Sequence, residues 1–207
     1  MKLPLLKKHL PIRSYSGQKF ITNTTNKKYL AIDFSHRCAY CDDPDSLSGG
    51  YRNYQVEHFA PESKFKHLKY VYENLLYACP YCNRAKWDYW PSNDANISVV
   101  GEEGVVDPCT NEYYDHLDRN EKGAIVCKTN LGRYMHKTLK LYLKRHEVIY
   151  NLATLDEKRK ELDEQIQSED AGGIDTTKKK KVLEELHKTF FGYYDQWQQM
   201  QKTNTEI

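Results

Sequence analysis

The sequence predicts an α+β fold: a small strand–strand–helix core with a zinc knuckle, a β-hairpin insertion and a C-terminal antiparallel helical hairpin. Two Cys-x-x-Cys pairs flank two short β-type runs, which predicts the core. Valine and isoleucine runs punctuated by glycine follow, which predicts the β-hairpin insertion. In the last third, apolar residues recur at helical spacing, which predicts the helical hairpin. We therefore expect four segments: an N-terminal arm with a short helix (1–33), the core (34–95), a β-rich segment (96–132) and the helical hairpin (133–207).

Composition limits the protein class. The chain has 207 residues, an aromatic share of 13% and a formal net charge of +2. The aromatic share is high enough to build a hydrophobic core. A net charge of +2 is far below that of a protein that binds nucleic acid by overall charge, so any contact with nucleic acid needs a local basic face. No apolar window is long enough for a membrane span, and the N-terminus lacks the features of a signal peptide, which predicts a cytoplasmic protein without membrane contact.

The predicted core elements follow from apolar runs and turn residues. Its two strands are Tyr54–His58 and Leu75–Ala78, which are separated by a loop over Pro61–Tyr70. A helix over Lys27–Phe34 precedes a loop at Asp42–Arg52. The core closes with a helix that we expect over Asn83–Trp90, stopped by Pro91.

The remainder of the chain divides into a β-rich part and a helical part. Short β-type runs end in a predicted hairpin over Asp118–Lys128, which turns near Asn120–Gly123. Apolar residues from Met135 to Ile166 predict one long helix, and Ala171–Gly173 breaks it. A second apolar stripe from Leu183 to Met200 predicts the returning helix of the hairpin.

The cysteines predict a structural zinc site. Two close pairs can offer four thiolates to one tetrahedral ion: Cys38, Cys41, Cys79 and Cys82. Four unrelated reduced cysteines are the alternative. Cys109 and Cys127 have no such spacing and are expected to be buried or inert thiols.

An acid–histidine pair and an asparagine lie in and just after the span between the cysteine pairs. His58 is a candidate general base, since the pKa of histidine lies near physiological pH. Glu57 and Asn83 offer oxygen ligands to a hard ion such as Mg²⁺, although Glu57 could be a solvated strand acid and Asn83 a helix N-cap. Since side chains alternate along a strand, Glu57 and His58 converge only if the strand ends or bends at His58.

Residues Phe34–Trp90 resemble the HNH (ββα-metal) nucleases that carry a zinc knuckle. The resemblance implies that His58 is the first histidine of the motif and that Asn74 is its middle residue, which holds the loop and orients the His58 ring. The family often has Asp or His at the position of Glu57 and His at that of Asn83. Without nitrogen ligands, this version favours Mg²⁺ or Mn²⁺ as the catalytic ion.

Two basic residues of the predicted helix are candidates for nucleic-acid contact. Lys86 lies one helical turn after Asn83 and could touch the scissile phosphate, and Arg84 could bind a neighbouring phosphate. A solvated helix charge is the alternative for both residues.

The sequence thus predicts a metal-dependent endonuclease that hydrolyses phosphodiesters, with DNA a better candidate than RNA. By resemblance to the nuclease subunits of the Septu system and some retrons, we expect a role in anti-phage defence beside an ATPase partner. A restriction-type or mobile-element nuclease is the alternative. The apolar helical hairpin predicts such a partner or self-association. The alternative is a non-catalytic zinc-clipped module that binds protein or nucleic acid.

Overall fold

The computed structural model describes residues 6–7, 10–17 and 22–203. The chain divides into two compact units, Met1–Tyr142 and Leu143–Ile207. Its helices and short antiparallel strand pairs confirm the predicted α+β class. In the described residues, no helix combines the length and apolar character that crossing a membrane requires.

The strand pair of the core agrees with its prediction. Strand β1 (Gln55–His58) pairs antiparallel with β2 (Leu75–Ala78), so that Gln55 lies opposite Ala78 and His58 opposite Leu75. All four residues of β2 are buried, which explains why this strand is continuously apolar. The first strand ends at His58, as convergence of Glu57 and His58 requires.

Two helices precede the strands. Helix α1 spans Asn23–Asp33 and begins four residues earlier than predicted. The segment predicted as a loop contains a single 3₁₀ turn at Asp45–Leu47 and the short helix α2 at Gly50–Asn53.

The helix after β2 has different bounds from those predicted. Helix α3 spans Pro80–Lys86, with Cys79 as its N-cap. Proline suits the first helical position because its missing N–H would have no intrahelical partner there. The prediction that Pro91 stops this helix was wrong, because Trp87 already leaves the helical conformation with φ 50°.

The β-rich segment holds two small hairpins and an unpredicted helix. Strands β3 (Val99–Val100) and β4 (Glu103–Gly104) form the first hairpin, and helix α4 (Glu112–His116) follows. Strands β5 (Leu117–Arg119) and β6 (Ile125–Cys127) form the second. Its turn lies at the predicted place, where Asn120 Oδ1 accepts hydrogen bonds from the backbone N–H groups of Lys122 and Ala124.

The apolar stripe that predicted one long helix belongs to two helices. Helix α5 covers Asn130–Thr138 and α6 covers Lys144–Ala171. Between them Lys140 has φ 53°, and the N–H of Leu141 donates to the carbonyl of His136 at 2.9 Å. This left-handed residue with its backward hydrogen bond ends α5. The break lets both Leu139 and Leu141 enter the core of the first unit, which residues two apart in a continuous helix cannot do.

The second unit is the predicted antiparallel hairpin. Helix α6 ends at Ala171, Gly172 and Gly173 follow, and α7 spans Thr177–Thr203. Antiparallel packing is evident because Lys179 pairs with Glu169 at 2.5 Å, near the turn, while the Arg159 guanidinium lies 4.8 Å from the Phe190 ring.

Candidate active site

The four cysteine sulfurs form a compact donor set. All four side chains are buried, and their Sγ atoms lie within 4.8 Å of one another. The Sγ atoms of Cys41 and Cys79 are 3.8 Å apart. Zinc–sulfur bonds of about 2.3 Å give a tetrahedron with edges of about 3.8 Å, whereas a disulfide requires about 2.05 Å. The cluster therefore fits a structural zinc ion.

Local backbone geometry brings each cysteine pair into position. The first pair lies in a tight knuckle in which the N–H of Cys38 donates to the carbonyl of Asp43 at 2.9 Å and Asp42 has φ 64°. The second pair lies at the start of α3, where the N–H of Cys82 points at Cys79 Sγ from 3.4 Å. Donors directed at sulfur stabilise the thiolate form that binds zinc.

Arg119, a residue that the sequence analysis did not identify, supports the knuckle from the second hairpin. Its side chain is buried and donates to the carbonyls of Cys41 at 2.8 Å and Gly123 at 2.6 Å. These contacts connect β5 and its turn to the cysteine cluster. No local signal marks Arg119, because the contact to Cys41 spans 78 positions of sequence.

Glu57 on β1 faces the cation of Lys86 on α3. Its carboxylate Oε1 lies 2.8 Å from Lys86 Nζ and accepts a hydrogen bond from the Tyr40 hydroxyl at 3.2 Å. Burial raises the pKa of Glu57 above its ordinary value, while Lys86 and the Tyr40 hydrogen bond act in the opposite direction. Glu57 is therefore part of a buried ion pair, and the reading of it as a solvated strand acid was wrong.

Contrary to the sequence prediction, the Lys86 side chain does not reach the surface. Its side chain is completely buried, and besides Glu57 it contacts the carbonyl oxygen of His58, to which Nζ donates at 3.0 Å. A buried ammonium cannot contact a phosphate outside, so the expected phosphate contact of Lys86 is not supported. The cause is the position of α3 beside β1, where Lys86 Nζ is held by the Glu57 carboxylate and the His58 carbonyl.

Asn83 and Arg84 lie on the accessible part of α3. The N-cap of this helix is Cys79, so Asn83 does not have the capping role that was the alternative for it. Its amide Nδ2 donates to Gln55 Oε1 on β1. Arg84 is exposed, its Nε donates to the carbonyl of Pro80 at 3.1 Å, and its guanidinium lies 5.7 Å from the Tyr81 ring.

A backbone carbonyl determines the tautomer of His58. The Nε2 atom lies 3.0 Å from the carbonyl oxygen of Lys69. Since a carbonyl only accepts, Nε2 carries the hydrogen and Nδ1 keeps its lone pair. Among the described residues, no hydrogen bond engages Nδ1.

Burial lowers the pKa of His58, and the hydrogen bond to Lys69 and the nearby Glu62 carboxylate partly oppose this shift. The imidazole is therefore mainly neutral at pH 7, as a general base must be.

Asn74 holds the loop that follows His58. Its Oδ1 accepts from the N–H of Ala60 at 2.8 Å, and its Nδ2 donates to the carbonyl of Ala60 at 2.9 Å and to that of Leu68 at 3.5 Å. Leu68 precedes the residue whose carbonyl binds the His58 ring. Asn74 thus positions the neighbourhood of the ring without touching it.

One cleft of about 520 Å³ brings most of these side chains together. It is lined by Glu57, His58, Asn83 and Arg84, whereas Asn74 and Lys86 do not line it. The oxygen donors of Glu57 and Asn83 fit a hard divalent ion in kind, and the Lys86 ammonium shares the Glu57 carboxylate with any such ion. The lining also includes side chains that the sequence analysis did not identify: Gln55, Pro61, Glu62, Ser63, Trp87 and Asp88.

Comparison with known proteins defines the class of this site. Residues 38–88 match the family model of the HNH endonucleases, so this part of the chain is an HNH endonuclease domain. It includes all four cysteines, both strands and α3. No curated protein and no solved structure matched the chain. HNH domains bind divalent metal, and this one indicates metal-dependent nuclease activity and a nucleic acid substrate.

Proposed function

We propose that the protein is a metal-dependent endonuclease that hydrolyses phosphodiester bonds in nucleic acid, with DNA the preferred candidate. The observation that carries this proposal is the tautomer of His58 and its position at the cleft. Its Nε2–H is engaged by the Lys69 carbonyl, which leaves Nδ1 as the proton acceptor, and the residue lines a cleft together with Glu57 and Asn83.

In this mechanism His58 Nδ1 removes a proton from the attacking water. Glu57 and Asn83 would hold Mg²⁺ or Mn²⁺, and the bound ion would stabilise the charge that develops on the phosphate and the leaving oxygen. By resemblance to the family, the products carry 5′-phosphate and 3′-hydroxyl ends. Arg84 binds a neighbouring phosphate, as its exposure at the same cleft supports.

Asn74 and Lys86 act as positioning residues. Asn74 holds Ala60 and Leu68 through hydrogen bonds to their backbone groups, and Leu68 directly precedes Lys69, whose carbonyl binds the His58 ring. Lys86 ties the carboxylate of Glu57 and the backbone of His58 to α3. A general base must be held in one orientation, and buried hydrogen bonds of this kind provide that. A zinc ion held by Cys38, Cys41, Cys79 and Cys82 would stiffen the same element from the cysteine side.

The test is nicking of supercoiled plasmid by the wild type and by His58→Ala, with Mg²⁺, with Mn²⁺ and with EDTA. We expect metal-dependent cutting that falls by at least about 100-fold in His58→Ala. His67→Ala, a change at an exposed histidine outside the cleft, is the matched control and should keep wild-type activity. Zinc content and circular dichroism establish that each variant is folded. A folded, zinc-loaded His58→Ala that cuts like the wild type would contradict the proposal.

The alternative function is a zinc-clipped module that binds without cutting. The Glu57–Lys86 ion pair favours it, because the expected metal ligand already has a cationic partner. This alternative requires that wild type remain inactive on both DNA and RNA, with every ion and with candidate partners present. It also requires that His58→Ala bind nucleic acid or protein as well as the wild type does.

The second unit supports a protein partner. Every described side chain of α7 is at least partly exposed, and Val182 and Phe191 are more than half exposed. A large exposed aromatic side chain such as Phe191 can anchor a protein partner. We propose that this unit binds an ATPase subunit of a bacterial anti-phage system, in line with the resemblance to Septu and retron nucleases.

Light scattering after gel filtration, of the protein alone and with the candidate ATPase, tests this proposed complex. A complex that Phe191→Ser weakens is the expected result, and self-association alone would contradict it.

A further inference from the structure

Trp87 has a backbone conformation that favours glycine. It follows the last residue of α3 and has φ 50° and ψ −134°. The N–H of Tyr89 donates to the carbonyl of Lys86 at 3.1 Å, which closes a tight turn with Trp87 as its first central residue. These values belong to a type II′ turn, in which the first central position is dominated by glycine because a Cβ is crowded there.

The side chain of Trp87 does not offset this strain by burial. It is 72% exposed, whereas Trp90, three residues later, is 4% exposed and packs against Phe59 and Phe65. Among the described residues, no aromatic ring lies against Trp87. The strain and the exposure therefore have no explanation in the stability of the fold, and such strain concentrates at functional sites.

The position of Trp87 indicates what it contacts. It lines the same cleft as His58, Glu57 and Asn83, and Arg84 lies three residues before it on the exposed part of α3. A flat, exposed indole is suited to stacking on a nucleobase, and Arg84, which is exposed at the same cleft, offers a cation to a neighbouring phosphate. Bases inside a duplex are already stacked on their neighbours, so an aromatic side chain can stack only on a base that is unpaired or splayed out.

We propose that Trp87 stacks on an unpaired nucleobase next to the scissile phosphate, so that the cleft prefers single-stranded or locally unpaired nucleic acid over intact duplex. This inference rests on the proposed nuclease function. It goes further by assigning a substrate class and a residue that selects it.

The test measures binding in the His58→Ala background, where substrate is not consumed. Fluorescence anisotropy gives the Kd for a labelled oligothymidylate and for a labelled hairpin duplex. We expect the parent to bind the single strand more tightly. Trp87→Gly should weaken single-strand binding by about 5- to 150-fold, the range measured for loss of one base–aromatic stack, and leave duplex binding unchanged. Trp87→Phe should keep single-strand binding within about 3-fold of the parent, since the aromatic face remains.

Thermal unfolding separates this role from a structural one. Trp87→Gly relieves the strained turn, so its Tm should equal or exceed that of the parent although its single-strand binding falls. Equal single-strand binding by Trp87→Gly and the parent would overturn the inference, and so would an equal loss on duplex. If Trp87→Gly shows one of these outcomes and yet, with His58 intact, still cuts plasmid, the proposed nuclease function stands and only the stacking role fails. A wild type that cuts no nucleic acid, together with a His58→Ala parent that binds none, overturns both.

Discussion

Glu57 and Lys86 are both ionisable, and the environment of each depends on the other. Their side chains are 6% and 0% exposed, and their charged atoms are 2.8 Å apart. Breaking a buried pair by removing one partner is costly because the remaining charge is left without water or counter-charge. The pair therefore gives a residue-scale prediction about stability that does not depend on catalysis.

We expect Lys86→Met to lower the free energy of unfolding by about 3–5 kcal/mol, because it leaves the Glu57 carboxylate buried and unpaired. The double variant Glu57→Gln with Lys86→Met should lose less than Lys86→Met alone. Urea denaturation measures all three proteins, and Lys66→Met at an exposed position should stay within about 0.5 kcal/mol of the wild type. A double variant less stable than Lys86→Met would contradict the pairing.

The pH dependence of cleavage reports the state of His58. A base works in its neutral form, and the neutral fraction rises as pH increases through the pKa. Because burial lowers the pKa of His58, the acid limb of kcat/KM should have its midpoint below about 6.5, the ordinary histidine value. Activity should then be nearly constant from about pH 7 upward. Initial rates of plasmid nicking from acid to neutral pH measure this limb.

Glu62 offers a check on that assignment. Its Oε2 lies 3.7 Å from His58 Nε2, and the carboxylate favours the protonated imidazole. Glu62→Gln should therefore move the acid limb to still lower pH, whereas Glu73→Gln, at an exposed residue that does not line the cleft, should leave it in place. A limb that moves upward in Glu62→Gln would show that another group controls the rate.

At the scale of elements, two helical glycines have opposite surroundings. A Cβ on Gly132 in α5 would lie 2.0 Å from the carbonyl oxygen of His116, so this glycine permits the close approach of α5 to the end of α4. A Cβ on Gly192 in α7 would meet nothing within 4 Å. The same substitution should therefore change stability in opposite directions at the two positions.

Gly132→Ala should lower the free energy of unfolding by about 1–3 kcal/mol, because backbone must move to admit the methyl group. Gly192→Ala should raise it by about 0.4–1 kcal/mol, since alanine restricts the unfolded chain and fits the helix. Chemical denaturation followed by circular dichroism gives both values. Changes of the same sign in the two variants would contradict the packing of α5.

At the scale of the whole molecule, the cysteine cluster is part of the main core. All four cysteines belong to the same buried group as Leu30, Tyr77 and Met135, so the zinc site joins α1, β2 and α5 in the first unit. Structural zinc binding is worth about 10–16 kcal/mol, which equals or exceeds the stability of a typical domain.

Removal of zinc should therefore unfold the first unit. We expect about one zinc per chain by metal analysis, and loss of cooperative unfolding of this unit after chelation or in Cys82→Ser. Cys127→Ser, at an exposed cysteine outside the cluster, should keep full zinc content and wild-type unfolding. A metal-free protein that melts like the loaded one would contradict a structural role for the cluster.

Short-range patterns in the sequence were sufficient to predict much of the fold of this molecule. Residue spacing predicted the two strands, the cysteine cluster, the Asn120–Gly123 turn and the helical hairpin, because each depends on neighbours within one or two elements. The segment that matches the HNH endonuclease family, residues 38–88, contains both cysteine pairs, both core strands and α3.

Only the tertiary structure decided which charged groups are buried and where helices stop. Lys86 faces Glu57 because β1 lies beside α3, and Arg119 reaches Cys41 from another hairpin. The stripe through Met135 divides at Lys140 because Leu139 and Leu141 both enter the core. Burial and left-handed turns depend on partners distant in sequence, so periodicity along the chain does not reveal them.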